Sequence, residues 1–258
     1  MTDHWFEARD SSSYATRSHP LRVASKRDYA SPHHLYAGTY YDVAFTALRG
    51  GSVLELGCAN GRIGELIRAN APSVKELHGV DYDADLLAAA PGDLYSSLQQ
   101  VDLESDLPRP AEPFTDILAL DVLEHLRDPR GTLQRLAPLL KPGGRLVIGV
   151  PNFLQLRNRL RILAGHWSYQ ETGGLYDEGH LRWYSKANLH QLVPPSHFDI
   201  VNVGGYGWFP RGSRLANRPV ADMVMRAYLR RVAAPVLALR PQLLARSLVI
   251  VCERRDLE

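Results

Sequence analysis

The chain has 258 residues, of which 45% are hydrophobic, which is enough for one α/β domain with elaborations. Lys and Arg number 30 against 28 Asp and Glu, so the formal net charge of +2 does not predict nucleic-acid binding. Cys58 and Cys252 lie far apart in apolar stretches, which argues against a disulfide scaffold or a zinc site. Because we find no signal-peptide core and no apolar run of ~18 residues, we expect a cytoplasmic protein.

Short apolar runs alternate with helical segments from Ser52 onward. The predicted strands are 52–57, 77–81, 98–103, 114–121 and 145–150, followed by two late strands at 198–206 and 247–255. The predicted helices are 61–71, 84–90, 131–141, 153–165 and 185–193, the last beginning with Ser185 as its N-cap. Such alternation predicts a doubly wound α/β fold around a mainly parallel sheet.

Composition divides the chain into four parts. We expect an N-terminal cap segment at 1–50, a core at 51–206, a basic helical insertion at 207–246 and a final core strand at 247–258. The insertion has eight Arg and one acid, Asp222, for a local charge of +7. Two interpretations of the insertion stay open: a helical cap with a solvated basic face, or recognition of an anionic acceptor or membrane surface.

The stretch VLELGCANGRIG combines a strand, a glycine-bearing turn and the start of a helix. Glycine permits positive φ and a close approach of ligand to backbone, and a helix N-terminus offers N–H groups to an anion. Gly57, Gly61 and Gly64 are spaced G-x-x-x-G-x-x-G, unlike the G-x-G-x-x-G of dinucleotide folds. Taken alone, this loop is compatible with either a structural turn or a ligand loop.

Acidic residues stand at the ends of the next two predicted strands. Asp81 is placed to accept hydrogen bonds from a ribose diol, and Asp102 to read an adenine amino group. One such acid is often only a helix cap, but two in register with the glycine loop indicate an adenosine-containing ligand.

Five segments in order, VLELGCANGRIG, GVDYD, VDLESDLP, FTDILALDVLEHLRDP and LLKPGGRLVIGVPN, resemble the motifs of class I S-adenosylmethionine-dependent methyltransferases over about residues 50–205. The resemblance implies a Rossmann-like seven-stranded sheet with an antiparallel last strand, and S-adenosylmethionine as cofactor. It also implies that Glu55 and Gly57 lie near the methionine moiety, with Asp102 and Leu103 beside the adenine. The implied cofactor-binding residues are Glu55, Gly57, Cys58, Gly61, Asp81, Tyr82, Asp102, Leu103 and Asp121. One departure is Cys58-Ala59-Asn60, where many relatives have a further glycine.

The segment DVLEH, 121–125, follows the fourth predicted strand, and a helical turn there would bring Asp121, Glu124 and His125 to one face. Three roles stay open: loop-shaping groups that cap the next helix, general-base catalysis by His125, or binding of a divalent metal. Similar segments with a later His, comparable to His180, bind a metal in ubiquinone-pathway and small-RNA methyltransferases. Asp121 stands where those families usually have Glu, so no metal is assigned; the candidate catalytic residues are His125, Glu124 and His180.

The expected function is O-methylation of a small-molecule or glycan-type acceptor, which can be anionic. Three segments could cover the site. They are residues 166–184, residues 207–246, and the N-terminal region, which contains His33, His34, Tyr36, Tyr40 and Tyr41. The aromatic and polar mixture at 166–184 suits a sugar ring or a phenol. The alternatives are metal-assisted methylation of a quinone or of an RNA 2′-hydroxyl, and a cofactor-binding protein without catalysis. Nucleic acid is not an expected partner, peripheral membrane contact is allowed, and the oligomeric state does not follow from the sequence.

Overall fold

The computed structural model describes residues 40–167, 175–206 and 240–255. The strands are β1 Gly51–Leu56, β2 Val74–Asp81, β3 Ser97–Gln100, β4 Phe114–Leu120, β5 Leu140–Pro151, β6 Phe198–Tyr206 and β7 Ser247–Arg254. The α-helices are α1 Tyr40–Thr46, α2 Arg62–Asn70, α3 Ala84–Ala88, α4 Pro129–Leu136, α5 Leu156–Leu163, α6 Leu189–Leu192 and α7 Pro241–Leu244. Short 3₁₀ turns occupy Leu123–His125, Ala137–Leu139 and Lys186–Asn188.

The seven strands form one sheet in the order β3-β2-β1-β4-β5-β7-β6. The pairs from β3 to β5 are parallel, whereas β7 runs antiparallel to both β5 and β6. This arrangement confirms the predicted Rossmann-like sheet with an antiparallel last strand.

Both faces of the sheet are covered by apolar side chains. Along β4, Ile117 belongs to one buried cluster and Leu118 to the other, because successive side chains of a strand point to opposite faces. The first cluster packs around α4 and α6, and the second contains residues of α1 and α2. A parallel sheet buried on both faces explains the nearly continuous apolar runs in β4 and β5.

Two predicted elements, α4 and β3, end earlier than expected, and β5 begins sooner. The helix predicted at 131–141 is α4, which stops at Leu136 and continues as a 3₁₀ turn. Pro138 lacks the N–H that a further α-helical turn requires, and β5 then begins at Leu140 rather than at Arg145. The strand predicted at 98–103 ends at Gln100, so Asp102 lies in the following loop. Ser185 begins its helical turn as predicted, donating its N–H and hydroxyl to Asn188 Oδ1.

Strand order reverses between β1 and β4, because β2 lies outside β1 on one side and β5 outside β4 on the other. In open α/β sheets, ligands bind at the carboxyl ends of the strands at this switch point. The loops that begin at Gly57 and Asp121 both leave the sheet there.

Several predictions fall outside the described residues: the N-terminal segment before Tyr40, with His33, His34 and Tyr36, and the basic insertion over 207–239. Within the described ranges, no helix combines the length and the apolar character needed to cross a membrane.

Candidate active site

The loop after β1 adopts left-handed backbone conformations at Gly57 (φ +67°) and Gly61 (φ +84°). A Cβ at Gly57 would lie 2.7 Å from Val122 Cγ2, so only glycine permits the loop after β1 to approach the loop after β4 this closely. The two loops at the switch point are therefore in contact.

Gly64 has a different role from Gly57. A Cβ at Gly64 would lie 2.3 Å from the hydroxyl of Tyr95, and one at Gly61 would also approach the Tyr95 ring. The first turn of α2 therefore packs on a buried tyrosine, which explains the glycine at 64 without a ligand. Sequence reasoning missed Tyr95, since nothing in its own segment marks it as a partner of the loop.

Asp81 joins the loops after β1 and β2. Its Oδ2 accepts the N–H of Ala59 at 2.8 Å, and its Oδ1 accepts the N–H of Asp83 at 3.0 Å. Ala59 has φ +46°, a conformation that turns its N–H into the loop. Each carboxylate oxygen has a further lone pair, so Asp81 is both positioned by the fold and able to accept additional donors.

Glu55, at the end of β1, is 2% exposed. Its Oε2 accepts the Tyr95 hydroxyl at 2.8 Å, while its buried Oε1 has no hydrogen-bond partner. Burial raises the pKa of the Glu55 carboxyl from 4.5 to about 8. An unpaired buried carboxyl oxygen beside a glycine loop is suited to a cationic or hydrogen-bond-donating ligand group.

The remaining predicted cofactor residues lie around these two acids. Cys58 is buried and donates its backbone N–H to Val80, and burial raises the pKa of its thiol. Tyr82 is 48% exposed next to Asp81. Asp102 is exposed and accepts the N–H of Glu104, whereas the side chain of Leu103 packs in the core. The Leu103 side chain is therefore not available to a ligand, and its carbonyl already accepts the Thr132 hydroxyl and the Arg135 guanidinium.

Asp121 directly follows β4 with φ +54°, and its N–H donates to Gly149 of β5. Its Oδ1 accepts the hydroxyl of Tyr40 from α1 at 3.0 Å. A Cβ at Gly149 would lie 2.0 Å from that hydroxyl, so the glycine makes room for the contact. Burial, and then the charge of Asp121, raise the pKa of Tyr40 well above its ordinary value, so Tyr40 remains a donor.

A distant loop closes over the 3₁₀ turn Leu123–His125. The N–H groups of Leu181 and Arg182 both donate to the Glu124 carbonyl, at 2.8 and 3.1 Å. The hydroxyl of Tyr184 donates to the Leu123 carbonyl at 3.3 Å. These bonds place the loop that carries His180 directly against the DVLEH segment.

Glu124, His125 and His180 converge at this contact. One potential ligand atom from each lies within 4.8 Å of the others, and His180 Nε2 is 3.9 Å from Glu124 Oε1. Glu124 is 1% exposed, and neither of its carboxylate oxygens has a hydrogen-bond partner. Burial, with the charge of Asp121 adding to it, raises the pKa of this carboxyl well above its usual range.

The exposed ring of His125 is oriented by a main-chain contact. Its Nδ1 lies 3.0 Å from the carbonyl oxygen of Gly179, and a carbonyl only accepts, so Nδ1 carries the proton. In the neutral ring, Nε2 is then the nitrogen that can take a proton. The His180 ring packs edge-on against it, with the centroids 4.8 Å apart.

Of the three roles left open for Glu124 and His125, capping of the following helix is excluded. α4 begins with Asp128 as its N-cap, whose Oδ1 accepts the N–H of Gly131 at 2.9 Å. Asp121, with its left-handed backbone, also lies outside the helical turn, so Glu124 and His125 meet His180 rather than sharing a helix face with Asp121.

A cleft of about 380 Å³ lies beside this cluster and is lined by Glu178, His180, Leu181 and Trp183. Trp183 also belongs to a group of aromatic rings with Phe153 and Trp167, at centroid distances of 6.1 and 5.9 Å. A hollow of about 500 Å³ at the start of α4 contains none of the predicted site residues.

A family model described as a methyltransferase domain matches residues 27–203. The chain is 32% identical over 111 residues to the ubiquinone biosynthesis O-methyltransferase of Xylella fastidiosa strain M23, covering 41% of this chain and 44% of that protein. A Coxiella burnetii enzyme of the same name is also 32% identical over 111 residues. The chain thus spans less than half the length of these relatives.

Two solved structures have a similar fold. The plantazolicin methyltransferase BpumL in complex with SAH gives a TM-score of 0.52 at 19% identity, covering 85% of this chain and 81% of that chain. An S-adenosylmethionine-dependent methyltransferase from Mesorhizobium loti gives 0.51 at 17% identity, covering 82% and 96%.

Proposed function

Since this chain belongs to the methyltransferase-domain family, we propose that it is an S-adenosylmethionine-dependent methyltransferase that methylates a hydroxyl oxygen of a small-molecule or glycan-type acceptor. The names of the matched relatives, which are O-methyltransferases, support oxygen as the methylated atom. The oriented, exposed ring of His125 carries the proposal, because an alcohol acceptor must lose its proton.

The residues of the loops after β1 and β2 fit the cofactor. Bound S-adenosylmethionine supplies a methyl group on a positively charged sulfur. We assign Asp81 to the ribose hydroxyls, through the lone pairs that Ala59 and Asp83 leave unused. Gly57 provides a surface without a side chain, and the unpaired Oε1 of Glu55 suits the methionine ammonium group.

His125 is the proposed general base. The Gly179 carbonyl holds the proton on Nδ1, which leaves Nε2 of the neutral ring as the acceptor. Glu124 belongs to the same 3₁₀ turn as His125, and its backbone carbonyl accepts N–H groups from the loop that carries His180. We propose that Glu124 and His180 position His125 and the acceptor.

Tyr40 is a positioning residue in this proposal. Its hydroxyl donates to Asp121 Oδ1, and Asp121 is the first residue beyond β4 at the switch point. Methyl transfer requires in-line alignment of the acceptor with the methyl group, so a carboxylate at this place must be held in one orientation. We propose that Tyr40 orients Asp121 through this hydrogen bond.

The test is His125→Gln, assayed with labelled S-adenosylmethionine and a panel of phenols, sugars and nucleotide-sugars. We expect kcat to fall by roughly 10² to 10⁴, with unchanged cofactor affinity. His190→Gln, at an exposed histidine on α6, is the matched control. Equal activity of the two variants would refute the base role, and binding of the cofactor without turnover of any acceptor would favour a non-catalytic protein.

A metal-assisted O-methyltransferase is the second candidate, and the Glu124, His125 and His180 cluster favours it. Two imidazoles and a carboxylate form a usual ligand set for a divalent transition metal. A cation would also satisfy the buried carboxyl group of Glu124, which otherwise lacks a hydrogen-bond partner.

Metal titration separates the two candidates. For the metal-assisted enzyme, calorimetry with Zn²⁺, Mn²⁺ and Mg²⁺ should detect one site that disappears in both Glu124→Gln and His180→Gln. Activity should then vanish on exhaustive chelation and return with the metal. Activity that survives chelation supports general-base catalysis without metal.

A further inference from the structure

Exposed apolar side chains are concentrated in one part of the described chain. The described residues include nine exposed large hydrophobic side chains, and five of these lie on α5 or within four residues of its end. These five are Leu156, Leu160, Ile162, Leu163 and Trp167. Contiguous exposed apolar surface marks an interaction site in soluble proteins.

Helix α5 exposes the apolar face that an ordinary surface helix would bury. Leu156, Leu160 and Leu163 are spaced i, i+4 and i+7, so they form one stripe, which in most helices would face the core. Here Leu160 is 57% and Leu163 83% exposed. The buried residue of this helix is the polar Asn158, whose amide donates to the Phe153 carbonyl at 3.1 Å.

The same surface is positively charged. Between Phe153 and Trp167 the sequence contains Arg157, Arg159 and Arg161 and no acidic residue. Arg157 and Arg159 are exposed, whereas the guanidinium of Arg161 lies 5.0 Å from the centre of the Tyr176 ring. Arginines interleaved with leucines, followed by a tryptophan, are typical of helices that lie at a lipid–water interface.

The surface is also connected to the candidate active site. Trp167, which is 42% exposed, packs edge-on against Trp183 at 5.9 Å between centroids. Trp183 lines the cleft that contains His180. A partner bound at α5 and Trp167 would therefore be separated from that cleft by the rings of Trp167 and Trp183.

We propose that α5, together with Trp167, is a docking surface for an anionic lipid bilayer. The leucine stripe inserts among the acyl chains, and Arg157 and Arg159 pair with acidic headgroups. Charge argues against two other occupants of this surface, the segment 207–239 and a second copy of the chain. The segment 207–239 is itself rich in arginine, so it would be repelled by Arg157 and Arg159. A second copy in a two-fold contact would bring the same arginines together.

Vesicle co-sedimentation of the full chain tests the proposal. We expect binding to vesicles of phosphatidylglycerol and phosphatidylcholine that exceeds binding to phosphatidylcholine alone and weakens with salt. Leu160→Glu with Leu163→Glu should abolish it. Ile200→Glu with Val201→Glu, at two exposed apolar positions on β6, is the matched control and should leave it unchanged.

The charge contribution is tested separately. Arg157→Gln with Arg159→Gln should weaken binding to the acidic vesicles roughly thirtyfold, from about fivefold per charge. Absence of vesicle binding, or equal loss in the β6 control, overturns the proposal. Self-association that only the α5 glutamates abolish, measured by light scattering, overturns it in favour of a second copy.

Discussion

On the proposed cofactor side of the site, the loops after β1 and β2 are bound to each other through Asp81, which accepts main-chain N–H groups from both. On the proposed acceptor side, the buried carboxyl group of Glu124 has no hydrogen-bond partner, and the turn that carries it is held by the backbone of a distant loop. Asp81 thus has a donor on each carboxylate oxygen, whereas Glu124 has a donor on neither.

From this difference we infer that Asp81 contributes mainly to cofactor affinity and Glu124 mainly to the reaction. Asp81 is positioned by the fold itself, so the proposed cofactor side is preorganised at this residue, and Asp81 should control affinity. A buried carboxyl group without a hydrogen-bond partner is unfavourable, so we propose that Glu124 acts on a proton, a metal or an acceptor.

The largest expected effect is on cofactor affinity. Asp81→Asn should weaken S-adenosylmethionine binding roughly 100-fold, because it replaces a charged acceptor of ribose hydroxyls with an amide. Asp83→Ala, which removes the N-cap of α3, should lower stability by about 1 kcal/mol with little effect on affinity. Calorimetry measures both, and unchanged affinity in Asp81→Asn would show that the preorganised carboxylate is only structural.

A smaller effect is expected on the acceptor side. Tyr40→Phe removes the hydroxyl that orients Asp121 and should lower kcat/KM roughly tenfold, with cofactor affinity retained. Tyr41→Phe, at the ring packed 5.2 Å from Tyr40, is the matched control.

A double-mutant cycle decides whether Tyr40 acts through Asp121. If it does, Tyr40→Phe should have little further effect in an Asp121→Asn background. Additive losses, or the same loss in Tyr41→Phe, would mean that Tyr40 contributes only to packing.

The smallest effect concerns stability and pH. The folded chain raises the pKa of Glu55 from 4.5 to about 8, so the folded state binds this proton more tightly than the unfolded state. The free energy of unfolding of the unliganded protein should therefore fall as the pH rises from 4.5 to about 8. Glu55→Gln should flatten that slope in urea melts, and a slope identical to the wild type would contradict the assignment.

Much of the fold could be predicted from local patterns. Apolar runs, glycine turns and strand-terminal acids mark β1, β2 and β4 correctly, because a parallel sheet needs continuous apolar strands. The errors occur where local sequence is ambiguous: Pro138 ends a helix that the apolar spacing would extend, and β3 ends before Asp102.

Less of the candidate site could be predicted. Gly64 belongs to the cofactor motif, yet its glycine is required by Tyr95, a contact between segments that no local pattern reveals. The contact of Tyr40 with Asp121 joins residues 81 positions apart, and its only sequence signal is a tyrosine-rich segment.

The sequence by itself determined the order of strands and helices, the left-handed glycines and the acids at the strand ends, since these follow from backbone sterics and apolar periodicity. Only the tertiary structure brought His180 to Glu124 and His125, and Tyr40 to Asp121. It also placed the leucine stripe of α5 outward. These features arise from packing between distant segments, and the free energy of such contacts depends on neighbours that no local pattern specifies.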